Sequence, residues 1–82
     1  MYRIEIEKPA RKRLAKIPKK FQYKIIEAIE SLSYDPFLGK KLEGEFEGKY
    51  SLRVWPYRVI YRIFKKEIFI LILDIGHRQG IY

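Results

Sequence analysis

Arginine and histidine side chains gather in the last third of the sequence, and their types and spacing suit chemistry on a phosphodiester. The set is Arg53, Arg58, Arg62, His77 and Arg78, followed by Tyr82. Arginine binds phosphate through two parallel N–H donors and stabilises the negative charge that develops in a transition state. An imidazole with an ordinary pKa of about 6.5 takes or gives a proton near neutral pH, and a tyrosine ring stacks on a base. These residue types permit an RNA 2′-hydroxyl to attack its neighbouring phosphate without a metal ion.

Other catalytic chemistries lack their residues. The chain has no cysteine and one histidine, which excludes a thiol nucleophile, a disulfide and a metal site built from several histidines. The carboxylates lie mainly between residues 27 and 47 without the spacing of metal ligands, and no glycine-rich phosphate loop is present. We therefore expect neither a metal nor another cofactor.

The arginines also have a purely structural alternative, in which each pairs with a carboxylate. The acidic side chains that would serve are Glu43, Glu45, Glu47 and Asp74. A lone histidine such as His77 is likewise often structural. The sequence leaves both alternatives open.

The formal net charge of +8 indicates an anionic partner, and nucleic acid is the first candidate. Residues 1–24 carry nine basic and two acidic side chains. The residues predicted to bind RNA or a ribosome are Arg11, Lys12, Arg13, Lys16, Lys19, Lys20 and Lys24, together with Arg62. For the lysines of the first segment, the alternative is a solvated helix face.

Two helices follow one strand in the first half of the chain. Alternation over residues 2–7 predicts a half-buried strand. Pro9 suits the first turn of a helix that runs to about Lys16, and a second helix begins near Pro18. Its buried face is predicted from a helical period and comprises Phe21, Ile25, Ala28, Ile29 and Leu32.

Three strands are predicted over residues 50–54, 57–64 and 68–73. The turn at Trp55-Pro56 folds Arg53 back near Arg58, and a period of two puts Arg58 and Arg62 on one face. The third strand is apolar at every position, which predicts cover on both faces, and Gly76 is predicted to break it. The fold class is therefore α+β, in the order β-α-α-β-β-β, with an antiparallel sheet and a two-helix hairpin on one face. We expect a single domain over residues 1–82, with no membrane span or N-terminal signal, in the cytoplasm.

Three stretches resemble the RelE/ParE toxin superfamily. Residues 53–61 read R-V-W-P-Y-R-V-I-Y and resemble its R-V-G-D-Y-R-V-I-Y core, and residues 76–82 read G-H-R-Q-G-I-Y and resemble its G-H-R-K-D-V-Y ending. Residues 41–44, K-L-E-G, resemble its K-L-x-G step before the sheet. The similarity covers essentially the whole chain. It implies a RelE-like fold and a toxin of a type II toxin–antitoxin system, neutralised by a small antitoxin protein.

The resemblance also implies an activity and the residues that perform it. RelE-like members cut mRNA in the ribosome, so the ribosome and mRNA are implied partners. The roles fall here on Arg53, Arg58, Arg78 and Tyr82, with His77 used by some members. ParE-like members instead inhibit DNA gyrase, and a third reading is a toxin fold that only binds its antitoxin.

The chain departs from the family pattern at two places. Ser51 and Arg53 stand where the best-known RelE pattern has two lysines. Because arginine stays protonated, proton removal falls to His77 or to the ribosome. Trp55-Pro56 replaces the usual Gly-Asp turn, and proline cannot adopt a positive φ, so we predict a different turn geometry.

Overall fold

The computed structural model describes residues 1–77, which form two α-helices on one face of a five-stranded sheet. The strands are β1 (Arg3–Ile6), β2 (Lys40–Lys41), β3 (Tyr50–Val54), β4 (Tyr57–Phe64) and β5 (Phe69–His77), the α-helices are α1 (Lys8–Ala15) and α2 (Lys19–Leu32), and short 3-10 helices span Pro36–Leu38 and Gly44–Phe46. The sheet order is β1-β5-β4-β3-β2. The predicted α+β class, with a helix pair packed on one face of a mostly antiparallel sheet, is confirmed.

The sheet differs from the predicted one in two respects. The two-residue strand β2 adds a fifth, edge position beside β3. Strand β1 pairs with β5 in parallel, with Arg3 opposite Phe69 and Ile6 opposite Ile72. A parallel neighbour needs a long crossover connection, and here everything from α1 to the β4–β5 turn supplies it. The strand pattern alone cannot reveal that pairing.

The helices form where the prolines and the helical period predicted them. Pro9 lies in the first turn of α1, and Pro18 immediately precedes α2. The side-chain amide of Gln22 donates to the carbonyl of Ile17 over 2.7 Å, which ties α2 to the chain between the helices. Within residues 1–77 no helix has both the length and the apolar character needed to cross a membrane.

The hydrophobic core lies between the helix pair and one face of the sheet. The predicted face of α2 is confirmed, because Ile25, Ile29 and Leu32 are buried. The sheet contributes buried residues from its two central strands: Val59, Tyr61, Ile70, Ile72 and Ile75. Burying an aliphatic side chain of this size stabilises a fold by about 1.5–3 kcal/mol. This core makes β4 and β5 the rigid elements that position the residues on their other face.

Tyr61 fastens the loop before β2 to the core. Its hydroxyl donates to the carbonyl of Pro36 over 2.7 Å and accepts from the amide of Gly39 over 3.0 Å. Burial raises the pKa of Tyr61 to about 12. A Cβ on residue 39 would lie 2.6 Å from that hydroxyl oxygen, so only glycine fits this approach.

The second face of the sheet is open, which corrects the predicted cover on both faces of β5. Ile70 and Ile72 are fully buried, whereas Phe69, Leu71 and Leu73 are only half-buried. The helix pair covers one face and no other element in the described chain is long enough to cover the second. We call this surface, away from the helices, the open face.

Strand β5 also continues through Gly76 to His77 instead of breaking there, and it contains an irregularity. Ile60 pairs with Asp74 and Tyr61 pairs with Ile72, so β5 carries one extra residue between them. Such a bulge shifts the alternation of side chains by one position. Residues of β5 beyond the bulge therefore face the opposite way from simple counting.

Candidate functional site

Two arginines face each other at one end of the open face. Arg53 on β3 pairs with Arg58 on β4 directly across the two-residue turn, as the sequence predicted. Cross-strand neighbours of this kind have Cβ atoms about 5 Å apart. Side chains of β4 that alternate with its core residues share this face, which places Arg62 further along the same strand. The hairpin thus carries a row of arginines on the open face.

These arginines lack the carboxylate partners of the structural alternative. Among residues 1–77, no Asp or Glu oxygen lies within 4 Å of the guanidinium nitrogens of Arg53, Arg58 or Arg62, and the ion pairs join Arg3 to Glu5 and Arg13 to Asp74. The same stretch contains no group of three or more His, Asp or Glu side chains arranged to hold a metal ion. Like charges directly opposite each other destabilise a sheet, and an anion between them relieves that repulsion.

Ser51 positions one of the two guanidinium groups. It is buried, with 4% of its surface exposed, and Arg58 Nη1 donates to its Oγ over 3.2 Å. From the sequence, Ser51 was noted only as a departure from the family pattern and was assigned no role. Counting the register back from the two-residue turn puts it diagonally across from Arg58, and that count is the signal for its role.

Two neighbours of Arg58 differ sharply in size. On the β5 side its partner is Gly76, which has no side chain to cover the guanidinium group. At the turn, Trp55 is 59% exposed, a large apolar surface that the sequence reasoning did not assign to the site. The Trp55–Pro56 peptide bond is cis.

His77 lies at the same end of the sheet but on the helix side. It pairs with Tyr57, and the two rings meet edge to face with centroids 5.7 Å apart. Tyr57 in turn packs against Phe21 of α2 at 5.4 Å. Alternation along β4 puts Tyr57 and Arg58 on opposite faces, so His77 and the arginine pair flank the end of the sheet from its two sides. Arg78 and Tyr82 lie outside the described residues.

The seven basic side chains within residues 11–24 that were predicted to bind RNA or a ribosome are all exposed. They are Arg11, Lys12, Arg13, Lys16, Lys19, Lys20 and Lys24. Arg13 is engaged with Asp74 at 3.5 Å. The ammonium groups of Lys20 and Lys24 lie 5.1 and 6.0 Å from the centre of the Phe21 ring. Through Phe21 and Tyr57 this basic surface is continuous with the end of the sheet that carries His77.

Arg62 marks the other end of the open face. Its guanidinium carbon lies 5.5 Å from the centre of the Phe64 ring, and Phe64 stacks on Phe69 at 5.0 Å. Arg3 lies over the outer side of Phe69 at 5.1 Å. Two stacked rings therefore lie between two planar cations across three strands, and the contact with Phe64 holds Arg62 in place without a carboxylate.

Comparison with known proteins extends over nearly the whole chain. The family model described as "ParE toxin of type II toxin-antitoxin system, parDE" matches residues 4–82. Toxin RelG of Mycobacterium tuberculosis is 35% identical over 83 residues, which cover 99% of this chain and 95% of that protein.

Solved structures agree with the sequence comparison. The toxin–antitoxin complex RelBE2 of Mycobacterium tuberculosis contains a chain that matches with a TM-score of 0.88 and 33% identity, covering 94% of this chain and 98% of that one. The archaeal RelE–RelB complex of Pyrococcus horikoshii matches with a TM-score of 0.80 and 35% identity, covering 94% of each chain. Both structures contain a RelE-type chain together with its antitoxin.

Proposed function

This chain belongs to the ParE toxin family of type II toxin–antitoxin systems, and we propose that it acts as a ribosome-dependent endoribonuclease on mRNA. The observation that carries this proposal is the facing pair Arg53 and Arg58, which no carboxylate neutralises within residues 1–77. Two opposed cations on an exposed surface are stabilised by an anionic ligand. A pentavalent phosphorus with two or more negative oxygens does fit between them.

The reaction follows from the arrangement around one RNA phosphate. The 2′-oxygen forms a bond to phosphorus, the bond from phosphorus to the 5′-oxygen breaks, and the products are a 2′,3′-cyclic phosphate and a 5′-hydroxyl. Arg53 and Arg58 stabilise the charge on the non-bridging oxygens, and Ser51 holds Arg58 in orientation. Because arginine stays protonated, it cannot take the proton of the 2′-hydroxyl.

Proton transfer therefore falls to another group. His77 lies at the same end of the sheet, and a phosphate bound at the rim of the sheet meets the arginines from one side and the imidazole from the other. The alternative is that the ribosome provides the general base, which would also explain why cleavage requires ribosomes. We assign the remaining catalytic roles to Arg78, as a further cation, and to Tyr82, as a base-stacking or hydrogen-bonding residue. The mechanism needs no cofactor.

The basic surface of the helix pair supplies the attachment to the ribosome. Its seven exposed lysines and arginines face away from the core, and Arg62 extends positive charge along the open face. Contacts between such side chains and phosphates release counterions, so binding should weaken steeply as salt rises. A cognate antitoxin, the ribosome and mRNA are thus the proposed partners, in the cytoplasm.

In vitro translation of a defined message with the purified protein, followed by primer extension, tests this proposal. We expect cleavage within codons only when ribosomes are present, and loss of cleavage in Arg58→Ala. Lys66→Ala is the matched control, since it removes one positive charge in the turn between β4 and β5, beyond the end of β4 that is far from Arg58. Cleavage that persists in Arg58→Ala would show that the arginine pair is not the site.

Gyrase inhibition is the second candidate, favoured by the match of residues 4–82 to the ParE family model. In that case the protein would act by binding gyrase and would cleave no RNA. A supercoiling assay with purified gyrase separates the two candidates. Inhibited supercoiling together with an intact message would establish the gyrase reading in place of the nuclease.

A further inference from the structure

We propose that the indole of Trp55 is a stacking surface for one nucleobase of bound RNA, next to the phosphate held by Arg53 and Arg58. This inference rests on the proposed RNA-directed function and adds a base-binding subsite to it. At residues 55 and 56 this chain has Trp-Pro where the core motif that it resembles has Gly-Asp.

The first argument is the exposure of the side chain. Trp55 is the single tryptophan of the protein and is 59% exposed on the turn between β3 and β4. Trp55 does not belong to the hydrophobic core cluster, although tryptophan is among the residues with most apolar surface to bury. A large aromatic surface on an exposed turn is typical of a residue that contacts a ligand or partner.

The second argument is position. The β3–β4 turn has only two residues, so the indole is confined to the end of the sheet where Arg53 and Arg58 face each other. A nucleotide carries its base and its phosphate within a single residue of the polymer. A phosphate between the two guanidinium groups therefore brings an adjoining base to the rim occupied by the turn.

The third argument is charge, which favours RNA over a protein segment as the occupant. The nearest charged residues in sequence on both sides of the turn are arginines, and neither is neutralised by a carboxylate within residues 1–77. Net charge of the whole chain is +8. An aromatic ring beside cations that track a phosphate backbone is the arrangement by which proteins bind single-stranded nucleic acid. Any base stacks on an indole, so the subsite predicts affinity with weak base preference.

Because the protein has one tryptophan, its own fluorescence reports on the proposed contact. The probe is a short single-stranded RNA whose riboses are 2′-O-methylated, which removes the nucleophile and prevents cleavage during the titration. We expect saturable quenching of the indole by this RNA at low salt. The same oligonucleotide with abasic residues keeps every phosphate and should bind with much less quenching.

The affinities of two Trp55 variants for RNA test the proposal directly. With dye-labelled RNA, Trp55→Gly should bind about tenfold more weakly, the loss expected for one stacked base. Trp55→Phe retains a ring and should recover most of that loss. The turn is exposed, so both variants are expected to keep the circular dichroism spectrum of the wild type.

The outcomes separate this inference from the function on which it rests. If Arg58→Ala loses RNA binding while Trp55→Gly binds as the wild type does, RNA binding stands and the stacking subsite is overturned, which assigns the exposed indole to a protein partner. If the wild type shows no affinity for RNA at low salt, the subsite is overturned, whereas the nuclease proposal is decided separately by the translation assay with ribosomes. Equal quenching by the base-containing and abasic oligonucleotides would also overturn the subsite.

Discussion

Replacing Arg53 by glutamine should stabilise the free protein while it weakens RNA binding. Arg53 is exposed and lies directly opposite Arg58, so the folded chain brings together two positive charges that the unfolded chain separates. In solvent of high dielectric, two unit charges about 7 Å apart repel by about 0.6 kcal/mol. For a domain of this size 1 kcal/mol shifts the melting temperature by about 4–8 °C, and the expected rise is therefore about 3 °C.

Thermal denaturation followed by circular dichroism measures that rise. At an ionic strength of about 1 M the screening length falls to about 3 Å, so the gain seen at about 50 mM salt should vanish. Arg62→Gln is the matched control. It changes the net charge by the same amount on the same face of the sheet, but the residue paired with Arg62 on β5 is the apolar Leu71.

Equal shifts in Arg53→Gln and Arg62→Gln would refute the reasoning, because they would reflect net charge and not the facing pair. A gain that survives high salt would refute it as well. The expected combination, higher stability with poorer RNA binding, is characteristic of a site whose charges are arranged for a ligand at some cost to the fold.

Four further predictions concern the scaffold. Tyr61→Phe leaves the Pro36 carbonyl and the Gly39 amide without their partner and should lower the free energy of unfolding in urea by about 2 kcal/mol. Because the folded state raises the pKa of Tyr61 from 10.0 to about 12 and so holds the proton more tightly, its contribution is complete below pH 10. That contribution should fall by up to about 3 kcal/mol as the pH rises from 10 to 12, measured as the difference between wild type and Tyr61→Phe. Gly39→Ala should destabilise the fold by more than 1 kcal/mol, roughly the cost of forcing a side chain into a packed site, as judged by urea unfolding. Ile68→Asn should raise the free energy of unfolding by about 1 kcal/mol, since Ile68 is exposed and adopts a φ of 53°, which a β-branched residue disfavours and asparagine tolerates.

Each of these predictions has a matched comparison. Tyr50→Phe removes the hydroxyl of a ring that stacks on Tyr61 and should cost under about 0.5 kcal/mol; equal losses would show that the Tyr61 hydrogen bonds contribute little. Gly39→Ala should cost less in a Tyr61→Phe background, where the hydroxyl no longer blocks the added methyl group. Ile68→Val keeps the β-branch and should leave the free energy of unfolding unchanged. An increase in this variant would show that the positive φ of residue 68 is not the cause of the gain.

Local periodicity is what made the arginine pair predictable. A strand alternates with a period of two and a two-residue turn fixes the register, so Arg53 and Arg58 follow from the sequence without knowledge of any distant contact. The face of α2 was predictable for the same reason. The three family motifs, which occur in the same order as in the family, predicted the RelE-like fold of the whole chain.

His77 shows where local reasoning stops. Counting by twos from the buried Ile72 places residue 77 on the open face with the arginines. The bulge opposite Ile60 and Tyr61 adds one residue to β5, and His77 consequently lies on the helix side beside Tyr57. Nothing in an apolar run marks a bulge, because its position is set by how two strands pair. The parallel pairing of β1 with β5 could not be predicted for the same reason, because it depends on contacts between distant parts of the chain.

The interior position of β5 in the sheet has a consequence for when this protein becomes able to act. Within residues 1–77, β5 is the last strand to be synthesised, yet β1 and β4 both take it as their hydrogen-bonded neighbour. The nascent chain cannot close the sheet, or bury Ile70, Ile72 and Ile75, until that strand has left the ribosomal tunnel. The arginine pair on β3 and β4 therefore gains its rigid support only when β5 has been made and has joined the sheet.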